Sequence, residues 1–278
     1  LQQAIDDAGD TVDTKIILMD GDYRDYYRVE SGSNVLVLEA QNSGAARITG
    51  ADVFPWQSEP SFSGVYSIGW TLNWGLGETV FSKYNHANDI TFRRREIVFI
   101  GEERLVPRHV YNNDSNNPDA IPVDPDSLDA GEFTVDEAAD KIYFKPPAGI
   151  VMDGDTVVAA SVRGAKFPYQ PGGSSRSLFV ATDHSNVVIR GIVFRRSANY
   201  INSEEALHFN SSLPSATTPP ENFPHDILIE DCVFEQNNST GLRITSARNV
   251  SILNCRIEDN GERGAASGRI YGFLAQDL

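Results

Sequence analysis

The chain has 278 residues, 40% of them apolar, which suffices for the core of one large domain or two ordinary ones and is too apolar for a disordered chain. A formal net charge of −16 excludes the phosphate-neutralising chemistry of nucleic-acid binding and argues against an anionic membrane surface, but leaves an acidic glycan open through a local basic patch. No apolar run approaches the ~20 residues that a helix needs to cross a bilayer, and the two cysteines, Cys232 and Cys255, lack metal-type CxxC spacing.

The chain opens with LQQAIDDAG, whose Leu1, Ala4, Ile5 and Ala8 share one helical face. Strand-like segments follow at 15–21 (KIILMDG), 34–40 (NVLVLEA) and 46–52 (ARITGAD), separated by turn residues. A short amphipathic helix ahead of a run of strands is what an open stack end needs, because it covers the core and hides unpaired strand edges. Residues 1–52 are therefore read as a cap helix and the first strands of a stack. No signal peptide is visible, yet Leu1 opens inside an amphipathic segment and the terminal RIYGFLAQDL has no closing element, so the chain is expected to be a trimmed piece of a longer one.

The stretch 53–150 has a different texture. It holds Trp56, Trp70 and Trp74, a polar loop (NNDSNNPDAIPVDPDSLDAGEF, 112–133) and two hairpin-like pieces, REIVFIGEERLV (95–106) and EFTVDEAADKIYFKPP (132–147). This region is read as an inserted β-rich subdomain. The tryptophans are better explained as anchors of that subdomain than as sugar-stacking rings. The aspartates Asp114, Asp119, Asp124, Asp126 and Asp129 do not follow EF-hand spacing and read as a solvated loop. Alternation sends one of Arg93, Arg94 and Arg95 opposite to the other two, so they do not form one anion patch.

Residues 151–278 carry an internal repeat: NVVIRGIVF (186–194), DILIEDCVF (226–234) and NVSILNCRI (249–257). Each copy starts with Asn186, Asp226 or Asn249, residue types that tolerate the left-handed backbone of a sharp turn. Apolar residues then alternate as Val187/Ile189, Ile227/Ile229 and Val250/Ile252. The chain turns inward again at Ile192, Cys232 and Cys255, then at Phe194, Phe234 and Ile257. Cys232 and Cys255 thus occupy one inward position and read as stacked free thiols, with a bridge between adjacent repeats allowed but not required. The longer step between the first two copies fits a loop within 210–225, rich in Pro, Ser and Thr. A second strand recurs beside these copies as SLFV (177–180), ALHF (206–209) and GLRI (241–244). Such periodicity reads as a solenoid, in which one repeat cannot bury its inner face and neighbouring repeats share a core.

The segments SNVVIRGIVF, HDILIEDCVF, RNVSILNCRI and DNG resemble the repeats of the pectate-lyase-like superfamily, and the opening LQQAIDDAGDTVDTKIILMDGDYRD, with Gly21 and Tyr23, resembles that superfamily's cap helix, strand and turn. The middle region, with GVYSIGWTLNWGLG, RRREIVFIGEERL and GEFTVDEAADKIYFKPPAG, resembles a set of bacterial β-helix proteins whose layout is related to β-helix glycoside hydrolases. The resemblance covers nearly the whole chain. It implies an all-β, right-handed parallel β-helix with an N-terminal cap helix and an inserted subdomain, and a secreted protein, extracellular or periplasmic, that handles a polysaccharide or oligosaccharide. It does not imply one chemistry, because this fold hosts lyases, hydrolases, epimerases and adhesins.

Alternation along the second strand supplies candidate residues. With Leu207, Phe209, Leu242 and Ile244 inward, His208 and Arg243 point out, and the same rule applied to SLFV sends Phe179 outward. In register these three form a row at strand spacing, ~4.8 Å. The resemblance places superfamily clefts on this face. Glu204 and Glu205 precede the strand, and Asp259 and Glu262 follow the last repeat. Two of these four carboxyls at roughly 5–9.5 Å would serve glycoside hydrolysis, one as proton donor and one as nucleophile or base. A lyase would instead take a base and a cation from His208, Arg243, Arg195 and Arg196. Relatives commonly use Ca²⁺, which stays possible here, although the DxD-type calcium cluster is missing from ALHF and GLRI and no metal ligands are assigned. The expectation is a carbohydrate-active hydrolase or lyase, with a non-catalytic adhesin, matrix or tailspike-like binder as the alternative. The sequence is silent on the oligomeric state.

Overall fold

The computed structural model describes residues 1–8, 12–72, 76–78, 92–94, 96–112, 119–163, 177–198, 205–212, 219–238, 240–260 and 270–273. It is an all-β structure with both parallel and antiparallel sheets. The chain divides into two compact units, Leu1–Gly50 with Arg163–Leu278, and Ala51–Val162.

The first unit holds three parallel five-stranded sheets. In spatial order the first sheet is Thr14–Leu18, Leu36–Ala40, Val187–Arg190, His225–Glu230 and Arg248–Leu253. The second is Gly21–Tyr23, Ala46–Thr49, Ile192–Arg195, Val233–Glu235 and Arg256–Glu258. The third is Tyr27–Val29, Phe179–Thr182, Leu207–Asn210, Leu242–Thr245 and Ile270–Phe273. All neighbours pair in parallel. The registers align like with like. Leu36, Val187, Ile227 and Val250 are partners in one row, and Leu38, Ile189, Ile229 and Ile252 in another. These rows, with Ile48, Phe194, Phe234 and Ile257 from the second sheet, form one apolar core, in which the Phe194 and Phe234 rings stack at 5.2 Å.

Sharp turns separate the strands, and most of the positive-φ residues there are Asn, Asp or Gly, the types that tolerate it. At the start of the first sheet, Asn186 sits at φ 60° just before its strand, and Asp226 and Asn249, the second residues of theirs, sit at φ 58° and 51°. Gly191, Asp231 and Asn254 hold the step into the second sheet at φ 69°, 53° and 52°. Arg196, Gln236 and Asp259 leave it at φ 55°, 55° and 51°. Just beyond lies an inward amide ladder. Asn260 Oδ1 accepts from the Asn237 backbone N–H and Nδ2, at 3.1 and 2.8 Å, and Asn237 Oδ1 accepts from the Ser197 N–H and hydroxyl, at 3.0 and 2.8 Å. Every one of these groups is buried, so the ladder satisfies polar atoms that would otherwise cost desolvation energy. Cys232 and Cys255 stand side by side as free thiols, the first buried and the second half-buried, because Arg256 N donates to Cys232 O across the same step.

The helix Gln2–Ala8 lays Ile5 into the core of this unit and ties Gln2 to Arg28, donating to its carbonyl and accepting from its N–H at 2.9 and 2.8 Å.

The second unit is largely antiparallel. Glu103–Arg104, Val98–Ile100, Val158–Ser161 and Ala51–Phe54 form one sheet, with Gly101 at φ 59° in the tight turn of the 95–106 segment. Val106–Pro107, Glu132–Asp136, Lys141–Phe144, Tyr66–Gly69 and Trp56–Ser58 form another, whose central hairpin pairs Phe133 with Phe144. This unit runs past the 53–150 span expected from sequence, because Val158–Ser161 closes the first of these sheets against Ala51–Phe54. Trp70 is fully buried, and Trp56 Nε1 donates to Thr156 O at 2.9 Å, so both anchor the unit. Trp74 lies outside the described residues, as do Arg95 and Asp114. Arg94 is buried against Glu96 at 2.6 Å and Glu137 at 2.8 Å. Asp124 caps the short 3-10 turn Pro125–Ser127, and Asp126 accepts from Ser63 N at 3.0 Å, so these loop carboxylates are engaged in holding local backbone.

Candidate functional site

The third parallel sheet brings together two of the polar residues that the sequence placed in one outward row. His208 and Arg243 are register partners on neighbouring strands, each flanked by inward residues: Leu207 and Phe209, Leu242 and Ile244. Glu205, two residues ahead of its strand, is 1% exposed. Arg243 Nη1 donates to Glu205 Oε1 at 2.9 Å, and His208 Nδ1 lies 3.5 Å from Glu205 Oε2. On the other side of the imidazole, Nε2 is 3.2 Å from Thr245 Oγ1. Ser177 completes the cluster: its hydroxyl accepts from Glu205 N at 3.3 Å and donates to Oε2 at 3.4 Å.

The electrostatics follow from burial. Desolvation pushes the Glu205 carboxyl above its ordinary value, and Arg243 and Ser177 oppose that only in part. Burial, then the Arg243 charge, take His208 down to about 3. The imidazole is thus neutral at physiological pH, and its contact with Glu205 is not an ion pair, close though the atoms are. The tautomer with its proton on Nδ1 satisfies both sides, facing the carboxyl at Nδ1 and accepting the Thr245 hydroxyl at Nε2. The arrangement is a shielded carboxyl that holds its proton more tightly than usual, next to a fixed guanidinium and a neutral ring. That is the setting of a proton donor rather than of a solvated surface charge.

One expected member is corrected. Phe179 does not point outward; it is fully buried and pairs with Tyr27 and Leu207 in an inward row. The outward partner of His208 is Val180. The expectation aligned Ser177 with Ala206, whereas the sheet aligns Leu178 with it, and a slip of one residue exchanges the two faces of a strand. Arg195 and Arg196 are corrected too as sugar contacts: both are buried, they belong to the second sheet and its turn, and both donate to Gln236 Oε1 at 2.9 Å. Arg195 also meets Glu235 at 3.4 Å. Asp259 is exposed in the left-handed turn that ends the second sheet. Glu204 and Glu262 lie outside the described residues. Sequence reasoning missed Ser177 and Thr245. Thr245 was within reach, since it lies two residues beyond Arg243 and so on the same face of the strand.

Among the described residues no group of three or more His, Cys, Asp and Glu side chains is placed to hold a metal ion. A cavity of about 210 Å³ opens beside the N-terminal helix, lined by Ile5, Asp6, Arg28, Glu30 and His184 among others. Its histidine is structural: the two ring nitrogens lie 2.8 Å from Glu30 O and 3.2 Å from Asn34 O.

No family model and no curated protein sequence matches the chain. In fold the chain is similar to solved structures. It is similar to a solved structure described as "Glycoside hydrolase", with a TM-score of 0.51 and 13% identity over 88% of this chain and 58% of that one. It is also similar to "The complex structure of XylC with xylose", with a TM-score of 0.52 and 11% identity over 97% of this chain and 52% of that one. The chain therefore spans little more than half the length of the solved structures it matches, and at these identities the likeness is one of fold.

Proposed function

We propose that this protein is a secreted carbohydrate-active enzyme that cleaves a polysaccharide or oligosaccharide by glycoside hydrolysis, on a right-handed parallel β-helix of the pectate-lyase-like kind. Three in-register parallel sheets around one core, with left-handed turns and a buried amide ladder between them, support the β-helix reading. The observation that carries the chemistry is Glu205: a carboxyl 1% exposed, held by Arg243 and raised in proton affinity by burial, just ahead of the strand that carries His208 and beside the neighbouring strand that carries Arg243. Glycoside hydrolysis needs one carboxyl that stays protonated long enough to donate to the leaving oxygen, and burial is the ordinary way to obtain it. Glu205 takes that role in our reading, with the second carboxyl drawn from Asp259, Glu262 or Glu204. The names of the similar structures, a glycoside hydrolase and a xylose complex, support a glycan as substrate.

Elimination is the second reading, favoured by one observation, the Arg243 guanidinium beside the imidazole. Two assays on one panel of neutral and acidic glycans separate them, reducing ends and the ultraviolet absorbance of an unsaturated product. Reducing ends without absorbance, lost by about a hundredfold or more in Glu205→Gln, is the expected result. Absorbance rising with the reducing ends would replace hydrolysis with elimination, and silence in both would favour a non-catalytic glycan binder.

A further inference from the structure

Arg243 is not on the strand that carries Glu205. It comes from the next strand along the third sheet, 38 residues later, and its Nη1 meets Glu205 Oε1 at 2.9 Å while the imidazole of His208 lies on the other oxygen's side. Among the described residues, the side chains that face the Glu205 carboxyl are Arg243 from Leu242–Thr245, His208 from Leu207–Asn210 and Ser177, whose hydroxyl lies ahead of Phe179–Thr182. Arg243 supplies the one formal charge in that set, because the ring is neutral and the hydroxyl is a dipole. Glu205 is 1% exposed, so water does little to screen that charge, whereas the Arg243 side chain, at 20%, keeps partial access to solvent.

We propose that Arg243 is a positioning residue, whose guanidinium orients the Glu205 carboxyl from the adjacent strand and sets the pH at which that carboxyl ionises. This rests on the reading of Glu205 as proton donor for its consequence in catalysis, but not for its first test. Without the guanidinium, a carboxyl this buried keeps its proton to higher pH. With it, the carboxyl releases the proton at lower pH than burial alone would allow. Burial keeps the imidazole neutral, and the same guanidinium adds to that effect.

The test is a carboxyl titration followed by ¹³C NMR on protein labelled at the glutamate side-chain carbon. Glu205→Gln assigns the resonance, and circular dichroism checks that each variant folds. In Arg243→Gln the Glu205 midpoint is expected to rise by about one to three pH units, the scale of a close opposite charge. In Arg243→Lys, which keeps the charge and loses the planar fork, most of that rise is expected to disappear. A midpoint that does not move in Arg243→Gln, or that rises equally in both variants, would overturn the proposal. If Arg243→Gln fails to fold, Arg243→Lys and Arg243→Met decide it by the same titration, the charge-keeping variant alone holding the midpoint. The pH profile of kcat/KM is measured alongside. A basic limb that moves with the midpoint supports both readings, whereas a moved midpoint under an unmoved limb supports the Arg243 proposal and removes Glu205 from the chemistry.

Discussion

At the scale of single residues, Phe179 and His208 carry the sharpest expectations. Phe179 is completely buried in the row with Tyr27 and Leu207, so Phe179→Ala should cost about 3–5 kcal/mol in chemical denaturation. Val180→Ala, on the opposite face, should cost far less; the reverse order would restore Phe179 to the outer face. His208 gives a pH signature whose sign follows from its environment. Its folded value is depressed, to about 3 from an ordinary 6.5, so the fold resists charging it. That contribution is whole above pH 6.5 and is lost as pH falls from there towards 3, where the folded imidazole protonates as well. Glu205 runs the other way: its raised value means that ionisation works against the fold as pH climbs past the ordinary 4.5. His208→Gln should therefore flatten the fall of Tm between neutral pH and pH 4, and an unchanged slope would show that the ring is not shielded. The cysteines differ in a comparable way. A hydrogen bond from Cys232 brings Cys255 down to about 7, while the same contact and burial push Cys232 up. Iodoacetamide should accordingly label Cys255 well ahead of Cys232, as read by peptide mass spectrometry.

At the scale of elements, the strands are short and their neighbours supply what each lacks. The Asn237 side chain bonds Asn260, Ser197 and the Phe194 carbonyl in a buried setting, so Asn237→Ala strands several polar groups at once. A loss of about 2 kcal/mol or more is expected in urea titration, and a loss near zero would mean that water replaces the amide. The outer face of the first sheet is joined by charges instead: Lys15 with Glu39, then Arg190 between Glu39 and Glu230. These are half-exposed pairs in solvent, so they align strands more than they stabilise them. The repeat that reveals these strands is legible in the chain because its spacing is regular and its turn residues are chemically distinctive. Asn186, Asp226 and Asn249 do take the left-handed backbone, Asn186 just before its strand and the other two as the second residue of theirs. The third-sheet strands were less legible. SLFV has two large apolar residues side by side, and period-2 reasoning alone does not say which of Leu178 and Phe179 begins the pairing.

At the scale of the whole chain, pairing is remote in sequence. Leu36–Ala40 lies beside Val187–Arg190, and Ala46–Thr49 beside Ile192–Arg195, so the first fifty residues complete sheets whose other strands come more than a hundred residues later. Loop closure must precede those contacts, which makes refolding slow for the size of the chain. Deleting Leu1–Gly50 should leave the strands Phe179–Thr182, Val187–Arg190 and Ile192–Arg195 with unpaired edges and part of the core open. Size-exclusion chromatography is expected to show aggregation of that variant, and a monomer with unchanged circular dichroism would sink this account of the fold.

What the sequence determined by itself is local and periodic. It contained the strand segments, the left-handed turn residues, the inward positions of Val187, Ile189, Phe194 and Phe234, and the pairing of His208 with Arg243 on one face. Those features follow from backbone sterics and from the two-residue period of a strand, which act between near neighbours. Tertiary structure alone decided that Phe179 faces the core, that Arg195 and Arg196 are absorbed by Gln236, and that Glu205 is buried beside Arg243. Each of those outcomes depends on which distant strand lies alongside. Burial, and with it the proton affinity of a carboxyl, is a property of the neighbours a residue acquires on folding rather than of the residue itself.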